Sequence, residues 1–342
     1  MKRLILILIL TLLIIIPAGL RLFYHIEEKS LDGDFFYTET EGTRMPVWVC
    51  GNPDSKTFIL YLAGGPGDSC LLQHFHIPMT KLEQKYRVVY YDQRGAGRSR
   101  GGANAEKITL KQFVRDTDHI VDLINHKYNN PDIILMGHSW GGALGTAYLL
   151  DDERQNKIKA WIEIDGGHNW IGMEKSSRQY AMEYASKHTD EKKWRKALEW
   201  YKENPVINSE NIVKHALYLN AAHAYTPKES AAENPYTISS LRMLFSYRTN
   251  VINSNFRTWK LARMMDTFSI DLSSEMHNIK IPTLILWGEK DYRIPVEFAM
   301  EAYKNIGAQE KKLVILPSSG HSPSVTDFPL YISSIDNFIS QN

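Results

Sequence analysis

The chain has 342 residues, 43% of them hydrophobic and 23% charged, so a folded, globular protein with one large core or two smaller ones is expected. Forty Lys plus Arg against 39 Asp plus Glu leave a formal net charge of +1. No excess of either sign points to nucleic acid or to a polyanionic substrate, and a nucleic-acid role is set aside.

Met1-Lys2-Arg3 precedes a nearly unbroken apolar run over residues 4–20, closed by Arg21. As a helix rising about 1.5 Å per residue it spans roughly 25 Å, a little short of a hydrocarbon core of about 30 Å. Snorkelling of Arg3 and Arg21 can close that gap. The run exceeds a usual signal-peptide core and Ala18-Gly19-Leu20 is a poor cleavage site, so residues 1–24 read as an uncleaved membrane anchor rather than a secretory signal. There is no Cys near its end to carry a lipid. Lys2 and Arg3 put the short N-terminus in the cytoplasm and the remaining chain on the extracytoplasmic side; cleavage would make that chain secreted.

Residues 25–33 read as a short polar tether. Residues 35–40 and 45–50 then predict an antiparallel strand pair around Glu41-Gly42. The only two cysteines, Cys50 and Cys70, either pair in an oxidising compartment or act as small buried hydrophobes. Short β-branched runs follow at 57–62, 87–91, 133–136, 160–164, 283–287 and 313–316, alternating with helix-like segments. That rhythm predicts a mostly parallel sheet with helices on both faces. It stops over residues 167–275, where a helical, polar pattern reads as an insertion between a first core segment (25–166) and a second (276–342). Trp194, Leu198 and Tyr201, and likewise Ile212, Ala216 and Leu219, repeat at helical spacing. An insertion above the carboxyl edge of a sheet is well placed to cover a ligand site.

The chemistry concentrates at strand ends. Ala63-Gly64-Gly65-Pro66-Gly67 follows the 57–62 run, and its glycines allow backbone N–H groups to approach a substrate oxygen; Gly65 is favoured for that role, with Gly64 as the alternative. Gly137-His138-Ser139-Trp140-Gly141 lies between an apolar strand and a helix-like segment, the setting of a nucleophile elbow in which bulk on either flank would collide. Ser139 takes the apex, and the helix opening at Trp140 offers an N–H and a positive dipole end to an oxyanion. A Ser hydroxyl needs a base, and in such enzymes the chain order is Ser, acid, His. His321 follows a late strand and is the base. Asp291 or Glu289, after the 283–287 run, can orient it, and the spacing favours Asp291; its alternative task is capping the next helix.

Three motifs together resemble the proline iminopeptidases: Gly64-Gly65-Pro66-Gly67, Asp92-Gln93-Arg94-Gly95-Ala96-Gly97-Arg98-Ser99 and Gly137-His138-Ser139-Trp140-Gly141-Gly142. The likeness covers about residues 45–165 and 280–325. It implies an α/β-hydrolase fold with an inserted helical cap, here preceded by an N-terminal membrane helix. It also implies Ser139, Asp291 and His321 as catalytic triad, the Gly65 and Trp140 backbones as oxyanion hole, and removal of N-terminal residues, often proline, from peptides. The 92–99 loop would be structural. Ala63 stands where that family usually carries His, and the cap lacks its tryptophan-rich, Glu-containing stretch.

The chain therefore reads as a serine hydrolase, most simply an aminopeptidase, taking a small peptide or ester. Acidic cap residues Glu174, Glu183, Glu199 and Glu203 are candidates to bind a substrate ammonium. A carboxylesterase or lipase-like enzyme is the alternative within the same chemistry, and a non-catalytic receptor on the same scaffold is the alternative outside it. The sequence shows no metal cluster, phosphate-binding loop or dinucleotide fingerprint, so no cofactor is implied, and it is silent on oligomeric state.

Overall fold

The computed structural model describes residues 11, 14–20, 22–23, 33–225, 237, 260–261 and 263–342. Among the described residues nine strands form one sheet: β1 (Asp34–Thr40), β2 (Thr43–Gly51), β3 (Thr57–Leu62), β4 (Arg87–Tyr91), β5 (Arg100–Gly101), β6 (Asp132–His138), β7 (Ala160–Ile164), β8 (Thr283–Gly288) and β9 (Lys311–Leu316). Their order is β1-β2-β4-β3-β6-β7-β8-β9, with the short β5 paired to β2. β1 and β2 make an antiparallel hairpin, closed by Glu41 and Gly42 at φ 44° and 77°. Two left-handed residues give a tight turn whose twist matches the flanking strands. From β4 to β9 neighbouring strands are parallel.

Parallel strands joined by helical crossovers are covered on both faces, so they read as continuous apolar runs rather than alternations. β3, Thr-Phe-Ile-Leu-Tyr-Leu, is buried from Phe58 onward, and β7 is buried throughout. The helices that matter here are α1 (Ile77–Glu83), α2 (Leu110–Lys127), α3 (Trp140–Leu149), α4 (Trp170–Lys187), α5 (Lys192–Glu203), α6 (Ile212–Ala221), α7 (Glu297–Asn305) and α8 (Phe328–Gln341). Thr109 starts α2 by accepting from the Gln112 N–H, and Asn169 starts α4 by accepting from the Gly172 N–H. One face of the sheet packs Leu60, Leu135, Trp161 and Trp287 against Phe113 and Trp140; the other packs Trp48, Ile59, Met136 and Leu284 against Leu82 and Phe338.

Between β7 and β8, α4, α5 and α6 enclose a separate hydrophobic cluster containing Ala181, Trp194, Tyr201, Ile212 and Leu219. Of the stripe residues read from the sequence, only Leu198 is half-buried; the others are buried. The rest of the predicted insertion at 226–236, 238–259 and 262 lies outside the described residues.

Residues 14–20 are helical, but among the described residues no helix is long and apolar enough to cross a membrane. Most of the predicted anchor, at 1–10, 12, 13, 21 and 24, lies outside the described residues. Cys50 and Cys70 are both buried free thiols and form no disulfide.

Candidate active site

The strand β6 ends at His138 and α3 begins at Trp140, leaving one residue to reverse the chain. Ser139 does so at φ 58° and ψ −118°, a backbone that L residues rarely adopt. The turn closes because its flanks are bare. A Cβ on Gly137 would lie 2.3 Å from the Gly141 carbonyl oxygen, and one on Gly141 would lie 2.0 Å from that of Leu62. The Ser139 N–H donates to the Ile164 carbonyl at 3.0 Å, and the Ser139 carbonyl accepts from Gly142 and Gly167 at 2.9 Å each. The strained apex is therefore held from both sides.

His321 sits five residues past β9. Its Nε2 is 3.0 Å from the Ser139 Oγ and its Nδ1 is 2.7 Å from Asp291 Oδ2. A carboxylate only accepts, so Nδ1 carries the proton and Nε2 is left as acceptor for the Ser139 hydroxyl. Asp291, three residues past β8, is buried, and its Oδ1 accepts from the backbone N–H groups of Arg293 at 2.8 Å and Ile294 at 2.9 Å. It thus caps its own turn and orients the imidazole. Glu289, the alternative acid, is exposed.

The loop bearing His321 is pinned by residues that sequence reasoning passes over. His138 Nε2 lies 2.7 Å from the His321 carbonyl oxygen, and the His321 N–H donates to the Tyr225 carbonyl at 2.8 Å. Burial, with the neighbouring His321 adding to it, pushes His138 down to about 3, so its ring stays neutral and donates from Nε2. A second carboxyl stands behind the first. Asp165, one residue past β7 and at φ 42°, accepts from the Gly288 N–H at 2.9 Å. Burial first, then the charge of Asp291, pushes the Asp165 carboxyl well above the usual carboxylate range.

Trp140 is the first residue of α3, where the backbone N–H has no partner within the helix and the dipole is positive. Gly64 and Gly65 line the same cavity as Ser139, with Gly65 at φ 120°; a Cβ on Gly64 would sit 3.4 Å from the Ser139 Cβ. The 92–99 loop holds both pieces. Gln93 donates from Nε2 to the Ala63 carbonyl at 3.3 Å and accepts from the Trp140 indole at 3.0 Å. The buried Asp92 accepts from Ser69 Oγ at 3.0 Å and from the Arg98 N–H at 2.7 Å, while Arg94 grips Asp116 through two bonds of 2.8 and 2.7 Å.

The cavity has a volume of about 310 Å³ and is lined by Gly64, Gly65, Asp68, Ser139 and His321 on the core side. Trp170, Met173, Ile212, Ala216 and Tyr225 line it from the inserted segment. Arg293 also reaches it, held at 2.5 Å by Glu174 on α4. Glu174 contacts His215 as well, which in turn bonds Ser177 and Tyr201. Burial acts to raise the Glu174 carboxyl, but Arg293 and His215 outweigh it and hold it at about 2. Glu174 is thus committed to a buried ion pair, and Glu183, Glu199 and Glu203 lie exposed on the outer surface. None of the four cap acids read from the sequence lines the cavity. Asp68 is the one carboxylate among the described residues that do.

A strained Ser at a strand-to-helix elbow, bonded to an oriented imidazole at the carboxyl edge of a parallel sheet, defines a serine hydrolase of the α/β-hydrolase fold. The profile of the family described as serine aminopeptidase, S33 matches residues 55–325, and the chain belongs to that family. Among curated relatives, the proline iminopeptidase of Saccharolobus solfataricus is 26% identical over 84% of this chain and 86% of its own length. Among solved structures, a membrane phospholipase A superposes with a TM-score of 0.64 at 19% identity, covering 100% of this chain and 99% of that one. The proline iminopeptidase of Mycobacterium smegmatis superposes with a TM-score of 0.58 at 14% identity, covering 90% and 98%.

Proposed function

We propose that the chain is an aminopeptidase that works through an acyl-enzyme on Ser139. As Ser139 Oγ attacks the scissile carbonyl, its proton passes to His321 Nε2 and Asp291 stabilises the imidazolium. The backbone N–H groups of Gly65 and Trp140 receive the oxyanion. The proton then goes to the leaving nitrogen, and water, deprotonated by the same imidazole, hydrolyses the ester and restores Ser139.

The observation that carries this reading is the hydrogen-bonded chain Ser139–His321–Asp291 opening onto a small cavity whose lining carboxylate is Asp68. A carboxylate beside the nucleophile suits a substrate with a free ammonium, and curated relatives of similar length named as proline iminopeptidases support the same class. Asp68 takes over the part that the sequence offered to the cap acids.

The test is release of arylamine from an unblocked prolyl arylamide, compared with its N-blocked form and with Ser139→Ala. Turnover of the free amine alone, lost in Ser139→Ala, supports the proposal, and Asp68→Asn should raise KM about tenfold with little change in kcat. A second reading, a carboxylesterase or lipase-like enzyme, is favoured by the apolar wall of Trp170, Met173, Ile212 and Ala216 and by the likeness to a membrane phospholipase A. Ser139-dependent cleavage of short esters without any amide turnover would transfer the assignment there.

We also assign residues 1–24 to a single-pass anchor that leaves the enzyme body on the extracytoplasmic side. The apolar run over 4–20 supports it, as do Ile14, Ile15, Ile16, Leu22 and Phe23, each more than half exposed in the isolated chain. Deleting 1–24 should move the protein from the membrane fraction to the soluble one; an unchanged distribution sinks the assignment.

A further inference from the structure

On the sheet face away from α3, three side chains of metal-ligating type converge from three separate segments. Cys50 comes from β2, His74 from the short helical turn Cys70–Phe75, and Glu83 from the last residue of α1. Their donor atoms all lie within 4.8 Å of one another. Cys50 Sγ is 3.4 Å from His74 Nδ1 and 3.7 Å from Glu83 Oε1, and His74 Nδ1 is 3.0 Å from that same oxygen. Nothing in the sequence announces the group, because 24 residues separate the first pair and nine the second.

We propose that Cys50, His74 and Glu83 form a zinc-binding site outside the active centre. The distances carry the argument. Around a tetrahedral zinc, with bonds of about 2.3 Å to sulfur and about 2.0 to 2.1 Å to nitrogen and oxygen, donor atoms stand about 3.6 Å apart for S–N and S–O and about 3.4 Å for N–O. The observed 3.4, 3.7 and 3.0 Å match that triangle to within a few tenths of an ångström. Protons on the thiol and the imidazole, each donated to Glu83 Oε1, explain two of the contacts, whereas a common centre accounts for all three.

The surroundings are those of an oriented site. Tyr90 OH donates to Glu83 Oε1 at 2.6 Å, as a group behind a ligand does when it sets the carboxylate's direction. The Trp48 ring lies against the imidazole with centroids 3.9 Å apart, which limits how His74 can turn. Charge balances as well. One thiolate and one carboxylate neutralise a divalent ion in a largely buried place, which isolated charges could not occupy cheaply. The side chains of His74 and Glu83 remain 16% and 10% exposed, leaving a path for the ion and for a water as fourth ligand. Binding converts the Cys50 thiol to thiolate and releases its proton to solvent; His74 ligates neutral through Nδ1, and no electron changes hands.

Zinc here would staple β2 to the stretch that follows the 64–67 glycine loop. That stretch includes Gln73 and His76, which border a small cavity shared with His138. The site rests on no step of the proposed hydrolysis.

The experiment uses the full-length protein in detergent, stripped with EDTA and titrated with cobalt(II) chloride as a spectroscopic stand-in and then with zinc sulfate. One cobalt per chain with a thiolate-to-metal charge-transfer band, displaced by zinc, is expected. Cys50→Ser should abolish the band, and His74→Gln, which keeps a polar side chain of similar reach at a partly buried position, should weaken binding at least tenfold. Zinc should raise Tm for the wild type and not for either variant. Absence of the band, or equal metal uptake and equal Tm shift in wild type and His74→Gln, overturns the proposal.

Discussion

His138 Nε2 and the carbonyl oxygen of His321 lie 2.7 Å apart, so the residue before Ser139 holds the backbone of the proposed base. The bond joins the end of β6 to the loop after β9 and sets how far His321 stands from Ser139. Because burial keeps His138 neutral down to about pH 3, this tie does not titrate across the working range. His138→Ala should lower kcat about tenfold with little change in KM, while His138→Asn, which keeps a donor, should recover part of it; steady-state kinetics on both variants decide.

The proposed triad predicts an uneven pattern of losses. Ser139→Ala should remove turnover and labelling by a fluorophosphonate. Asp291→Asn leaves the shape and loses the charge that selects the Nδ1–H tautomer, so kcat should fall roughly a thousandfold or more. Labelling at an unchanged rate in Asp291→Asn would remove Asp291 from the role.

Gln93 bonds the Ala63 carbonyl, beside the Gly64-Gly65 loop, and the Trp140 indole, and so ties together the two elements of the proposed oxyanion hole. Gln93→Leu keeps the volume and removes both bonds. It should cost about 1 to 3 kcal/mol of stability, since a buried carbonyl and indole lose their partners, and lower kcat more than it raises KM. Urea titration and kinetics on the same preparation separate the two effects.

Gly141→Ala sets a methyl carbon 2.0 Å from the Leu62 carbonyl oxygen, against backbone that cannot turn aside. A loss of about 3 kcal/mol or more is expected, together with loss of activity as the elbow is displaced. A variant with wild-type urea midpoint would contradict the close packing of α3 on β3.

Burial pushes His76 down to about 4, whereas in the unfolded chain an ordinary histidine titrates near 6.5. Between those values the unfolded state binds the extra proton, so stability rises with pH and drains away as pH falls from about 6.5 toward 4. His76 contributes a loss of about 2 kcal/mol between pH 7 and pH 5. His76→Gln should shrink the difference in unfolding free energy between those two pH values by about that amount.

Strand positions are legible where packing is symmetrical. The runs at 57–62, 87–91 and 160–164 coincide with β3, β4 and β7, because a strand covered on both faces is apolar along most of its length; Glu163, the charge inside β7, is buried against His168. β9 starts at Lys311, two residues before the run that announces it, since an edge strand tolerates Lys311 and Lys312 beside solvent. Chain order and following strands single out Ser139, Asp291 and His321, and the structure brings the three into one hydrogen-bonded line. Asp165 and the Glu174–Arg293 pair leave no mark in the sequence. A lone carboxylate after a strand looks like any capping residue, and an ion pair across 119 positions has no spacing to detect. The cap acids mislead for the same reason, because composition does not say which side of a helix faces the cavity.

Arg293 lies two residues from Asp291, yet its guanidinium is bolted to Glu174 on α4, with the pair almost wholly buried. Separating such a pair costs about 3 to 5 kcal/mol, so α4 cannot lift from the core without dragging the turn in which Asp291 is seated. The segment above Ser139 is thereby moored to the same turn that seats the carboxyl partner of His321. On the proposed reading, a substrate would enter under a covering that α4 holds in place, where the apolar wall and Asp68 choose it.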